Sequence, residues 1–91
     1  MAISLQLPPR LAKYAAGKRT FELPAGAFYD LVEALCQEHP DLRTRLINDQ
    51  ERLYPYLAVI HKQQQLTTEE LNGLEILNGD QVEIVTLASG G

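Results

Sequence analysis

Ile3, Leu5 and Leu7 alternate with Ser4, Gln6 and Pro8, the period-two pattern of a half-buried strand, and Pro8-Pro9 ends it by removing two backbone donors. Residues 10–17 close on Ala16-Gly17. Residues 18–23 then alternate again with Phe21 and Leu23 on one face, so the two runs predict an antiparallel hairpin. After Pro24-Ala-Gly26, the residues Phe28, Leu31, Val32, Leu35 and Cys36 recur at helical spacing, opposite Asp30, Glu33 and Gln37. Asp30 in the first turn suits the positive end of the helix dipole, and His39-Pro40 stops the helix. Residues 41–47 add a further helical turn or two that lays Leu42, Leu46 and Ile47 on the core.

Residues 48–52 are polar and predict a loop. Residues 56–61 are aromatic and β-branched enough for a buried strand, which Lys62-Gln-Gln-Gln65 turns around. Thr67-Thr-Glu-Glu70 matches a capping box and predicts one short helical turn ending at Asn72-Gly73. Residues 74–77 can pair, Asn78-Gly79-Asp80 turns, and residues 81–87 form the last strand. A lone hairpin of this length is only marginally stable, so the early and late strands must share one sheet. The expected fold is α+β, a four- to five-stranded sheet with one main helix packed on one face.

Strand parity then suggests a surface. With Val82, Ile84 and Thr86 turned to the helix, Val85 and Leu87 face away. With Tyr56, Ala58 and Ile60 inward, Leu57, Val59 and His61 face outward. Leu57, Val59, Val85 and Leu87 would form an apolar patch on the open sheet face, and such patches mark interfaces. A strand covered on both faces, or a register shifted by one residue, is the alternative.

The chain has 91 residues, enough for one small domain with one core and no second catalytic lobe. Eight Lys and Arg against twelve Asp and Glu give a net charge of −4, which argues against nucleic acid or an anionic membrane as main partner. The charge is uneven. Arg10, Lys13, Lys18 and Arg19 precede the first acid, leaving four bases against twelve acids, a net of −8, in the rest. A basic corner on an acidic body suits a protein partner.

A single cysteine, Cys36, excludes an internal disulfide and fits a reducing compartment. No secretory signal or membrane-length apolar run is present, so a soluble cytoplasmic protein is expected. Cys36 falls on the apolar helical stripe and reads as a packing residue. Neither His39 nor His61 has a second ligand at metal spacing, so no metal is expected. Asp80 beside Gly79 reads as a turn former whose side chain serves backbone donors. No Gly-rich phosphate loop occurs, so ATP binding by the chain itself is not expected.

The last strand is followed by Ala88-Ser89-Gly90-Gly91. The strand order, the Leu77-Asn-Gly-Asp-Gln-Val82 entry into the final strand and the Ser-Gly-Gly ending together resemble the β-grasp, ubiquitin-like sulfur-carrier family. That family includes the molybdopterin-synthase small subunit and the thiamine- and cysteine-biosynthesis carriers. The resemblance covers nearly the whole chain, with the Pro9-Arg-Leu-Ala-Lys-Tyr-Ala-Ala-Gly17 connection most like the cysteine and molybdopterin branches. Thr86-Leu-Ala88 stands where relatives often carry proline, and His61-Lys-Gln-Gln where they often carry an Asn-Gly-type turn.

The resemblance implies a β-grasp domain over 1–87 and a flexible tail over 88–91. It implies that a ubiquitin-activating-type adenylating enzyme transfers AMP from ATP to the Gly91 carboxylate. A sulfur donor protein would then convert the adenylate to a thiocarboxylate, for use by a sulfur-accepting synthase. Gly90 and Gly91, without Cβ atoms, would thread a narrow channel to reach the nucleotide. The expected partner-binding set is Leu57, Val59, His61, Val85, Leu87, Ala88 and Ser89. The carrier would be a substrate rather than an enzyme, binding no cofactor while its partner uses ATP. A modifier joined to lysines through Gly91, and a β-grasp module that only binds, are the competing readings.

Overall fold

The computed structural model describes residues 2–87. The alternating residues at the start form β1 (Ile3–Gln6), with Ile3 and Leu5 fully inside. Pro8 leads into a 3-10 segment over Pro9–Ala15 that buries Leu11 and Ala15. Ala16 and Gly17 end it in the left-handed region, at φ 57° and 82°. The glycine takes that torsion without a Cβ clash, which lets the chain reverse into β2 (Thr20–Leu23). The mouth of this hairpin is clamped twice at one point: Leu7 N–H donates to the Arg19 carbonyl at 2.7 Å, and Arg19 Nε donates to the Leu7 carbonyl at 3.1 Å.

A two-residue strand, β3 (Gly26–Ala27), precedes the main helix α1 (Phe28–Glu38). Phe28, Leu31, Val32, Leu35 and Cys36 are its buried stripe, as their spacing requires. Pro40 stops it, and a 3-10 turn at Pro40–Leu42 runs into the short helix α2 (Arg43–Leu46). Then come β4 (Leu57–His61), β5 (Gln64–Leu66), a 3-10 turn at Glu69–Leu71, β6 (Glu75–Ile76) and β7 (Gln81–Thr86).

The main sheet has the order β2-β1-β7-β4-β5, with β1 and β7 parallel and all other neighbours antiparallel. β3 and β6 pair separately as a small second ladder. The core between sheet and helix contains Ile3, Leu5, Leu7, Phe28, Leu35, Val59 and Ile84, among others. It also takes Leu53, Leu71 and Ile76, fully buried residues from segments whose short length hides any period.

Three expectations need correction. Residues 62–65 are not all turn: Lys62 and Gln63 alone make the reversal, and Gln64 already pairs with His61. Residues 74–77 pair outside the main sheet, against β3. The third concerns β4, whose parity is the opposite of that expected. Val59 lies opposite Ile84 and His61 opposite Val82, so Leu57, Val59 and His61 share the core face with Val82 and Ile84. Leu57 and Val59 are fully buried, His61 is 7% exposed, and Tyr56, expected inside, is 48% exposed. The physical reason is that Leu57-Ala-Val-Ile60 is apolar at every position, so alternation carries no parity signal there. Only His61 was polar, and its polarity is satisfied from within.

Candidate functional site

β7 is flanked by β1 and β4 and ends the described chain. Its core-facing residues, Val82 and Ile84, anchor it under α1, while Glu83 and Val85 stand half-buried on the other face. From β4, Ala58 and Ile60 share that face, opposite Val85 and Glu83. Ala58 is nonetheless fully covered, so the accessible apolar residues here are Ile60, Val85 and, past the strand end, Leu87 at 37% exposure. The patch on the open sheet face therefore keeps Val85 and Leu87 and loses Leu57 and Val59, and His61, expected on that face as a partner contact, is buried on the core side with them.

At the end of β7 the backbone is held to the strand beside it. Leu87 N–H donates to the Tyr56 carbonyl at 2.8 Å. The Tyr56 ring stacks on Tyr54 with centroids 5.5 Å apart, and its hydroxyl donates to the Arg45 carbonyl at 3.2 Å. Tyr54 carries no signal in the sequence pattern, and Tyr56, read as the inward start of the strand, instead lies in the turn before it. The expectations for Ala88, Ser89, Gly90 and Gly91 concern residues outside those described.

The opposite end of β7 is fixed by Asp80. One carboxylate oxygen accepts from Leu77 N–H and contacts His61 Nε2, each at 3.0 Å. Gly79, at φ 88°, lets the Leu77–Asp80 turn close with Asp80 N–H on the Leu77 carbonyl at 2.9 Å. The hydrogen bond from His61, with that from Leu77 and the nearby Lys62 charge, holds the Asp80 carboxyl below its usual range. Asp80 is the turn former its position beside glycine indicated, with His61 as a second client. Asp80 borders a shallow cleft of about 520 Å³ on the open sheet face, also lined by Ser4, Gln6, Ile60 and Glu83.

The remaining candidates are structural. Cys36 is buried on the core side of α1, and burial pushes its thiol up, away from the reactive thiolate. His39 packs edge-on against Phe21, centroids 5.5 Å apart. Glu70 accepts from Thr67 N–H at 3.0 Å, the back-reaching half of the capping box, which lowers its pKa. Among the described residues no group of three or more His, Cys, Asp or Glu is gathered to hold a metal ion. No helix among them is long and apolar enough to cross a membrane.

A mixed five-stranded sheet with one main helix across one face and β1 parallel to β7 defines this chain as a β-grasp protein of the ubiquitin-like kind. No protein-family model and no curated protein matches the sequence. Solved structures do. SAMP1 from Haloferax volcanii superposes with a TM-score of 0.79 at 26% identity, covering 100% of both chains. A chain of the Amycolatopsis orientalis BexX/CysO complex gives 0.77 at 19% identity, over 99% of this chain and 100% of that one. Mycobacterium tuberculosis CysO gives 0.74 at 15% identity, over 94% and 99%. The similarity covers at least 94% of this chain in each case and bears out the β-grasp fold that the sequence resemblance implied.

Proposed function

We propose that this protein is a ubiquitin-like sulfur carrier whose reactive group is the Gly91 carboxyl, with the folded body as its handle. The observation that carries the reading is the joining of a β-grasp domain to Ala88-Ser-Gly-Gly91 directly after β7, one residue past the Leu87 anchor on Tyr56. A carboxylate is a poor acyl donor. An adenylating enzyme of the ubiquitin-activating type attaches AMP from ATP to it, releasing pyrophosphate. A sulfur nucleophile then attacks the acyl adenylate, expels AMP and leaves a thiocarboxylate. Gly90 and Gly91 suit both steps, since backbone without Cβ atoms passes a narrow channel and takes torsions closed to other residues. The chain contributes position, and its partners contribute ATP, acid, base and sulfur. Cysteine or molybdopterin biosynthesis is the destination, through a synthase that accepts the sulfur. Val85 and Leu87, with Ala88 and Ser89, contact the partner.

A second reading has a specific support: a structure that superposes end to end is a small archaeal modifier protein. In a modifier, a lysine amine attacks the acyl adenylate in place of the sulfur nucleophile, the acyl–phosphate bond breaks to release AMP and a proton, and an isopeptide bond forms. Both fates begin with activation of Gly91, so activation is the step to test. ATP–pyrophosphate exchange is measured with the adenylating enzymes of the same genome, for the wild-type chain and for a chain lacking Gly91. The expected result is exchange with the wild type, none with the shortened chain, and equal melting temperatures. Equal exchange by the two chains would overturn the reading.

A further inference from the structure

Positive charge converges on one tyrosine, away from the open sheet face. Among the described residues, Arg43 is the Lys or Arg side chain within ion-pair distance of a carboxylate, that of Glu33. Lys13, from the first 3-10 segment, and Arg45, from α2, are exposed and converge on the ring of Tyr14. The ammonium lies 5.3 Å and the guanidinium carbon 4.6 Å from the ring centroid. Tyr14 is half-buried and packed on the core, so the platform between them is fixed. The ring attracts each cation while the two cations repel each other, and among the described residues neither lies within ion-pair distance of a carboxylate, so both exposed charges are open to an anionic partner.

Its place in the fold says what brings the anion. The Arg45 carbonyl accepts from the Tyr56 hydroxyl, and the Tyr56 carbonyl accepts from Leu87 N–H. The cation pair is thus two residue contacts from the end of the described chain, with the exposed Tyr56 between them. A protein that takes hold of the chain beyond Leu87 meets Tyr56 and Arg45 on this side of the body. A nucleic acid or an anionic membrane would also meet the acids of residues 20–91, which carry a net charge of −8 with Arg45 counted among their bases, whereas a short acidic segment engages the two cations alone.

We propose that Lys13, Tyr14 and Arg45, with Tyr56 beside them, form a docking surface for a carboxylate-bearing segment of the enzyme that activates Gly91. Arg45 would hold a carboxylate through its guanidinium fork and Lys13 would add charge. The identity of the partner rests on the function proposed above.

The test is pyrophosphate exchange with the adenylating enzyme of the same genome, comparing wild type, Arg45→Glu, Lys13→Glu and Arg52→Glu. Arg52 also lies over a ring, that of Tyr29, so its replacement makes the same change in net charge elsewhere. At low salt we expect Arg45→Glu and Lys13→Glu each to raise KM about tenfold with kcat and melting temperature unchanged, and added salt to shrink the difference. Arg52→Glu should leave KM at the wild-type value. An unchanged KM in the first two variants, or an equal rise in all three, would overturn the docking surface while leaving Gly91 activation in place. No exchange with the wild-type chain would overturn the reading of Gly91 itself, and the partner assignment with it.

Discussion

Lys62 and Gln63 hold a tight reversal at a conformational cost. They link His61 to Gln64 in a two-residue hairpin with φ of 53° and 66°, the left-handed pair that favours Asn-Gly. A side chain with a Cβ is disfavoured there by roughly 1–2 kcal/mol. Replacing the pair by Lys62→Asn with Gln63→Gly should therefore stabilise the protein by about 1–2 kcal/mol, visible as a higher urea midpoint with an unchanged slope. A lower midpoint would mean that these side chains hold the turn through contacts that outweigh their torsional cost. His61, one residue earlier, shows how a single polar letter misleads. Its position at a strand end suggests an outward face, yet Asp80 meets its ring from the turn before β7 and makes burial tolerable.

Elements were legible wherever one face is wet. The Ile3, Leu5, Leu7 alternation and the Phe28 to Cys36 stripe each contrast apolar with polar positions, and both strand and helix stand where the pattern puts them. β7 is legible for the same reason, since Glu83 breaks its apolar run and fixes which side is out. β4 has no such contrast. Its parity is set by pairing with β7, a long-range fact that no local window contains. Tyr54 and the two-residue β3 were likewise silent, being too brief for any period to show, while residues 74–77 were read as able to pair but without a partner. The corrected parity separates two substitutions of the same kind. Val59→Asp places an unpaired charge in the core and should cost about 4 kcal/mol or more, whereas Val85→Asp, on the half-open face, should leave the melting temperature within a few degrees. Urea unfolding of the two variants checks this, and a protein that tolerates Val59→Asp would contradict the register.

For the whole molecule, fold and chemistry divide the chain between them. The buried core, the clamped β1–β2 hairpin and the Asp80 turn hold a rigid body in which β7 is gripped at both ends. The residues proposed to react come after that body, and a sequence reading reaches them only through resemblance, because two small residues have no side-chain chemistry to find. The basic corner was visible in the charge count. That one of its cations, Lys13, meets Arg45 from the acidic remainder on one ring was not, since the two are brought together only by the packing of the first 3-10 segment against the turn before α2.

The central claim is that the Gly91 carboxyl, carried by a β-grasp body, cycles through a thiocarboxylate. Intact-mass spectrometry of the protein purified from its own host without added reductant tests it most directly. The account predicts a fraction of chains heavier by the exchange of one oxygen for sulfur, with fragmentation placing the change at Gly91. A population bearing only an unmodified carboxyl at Gly91, or found only joined to other proteins through it, would contradict the sulfur-carrier reading.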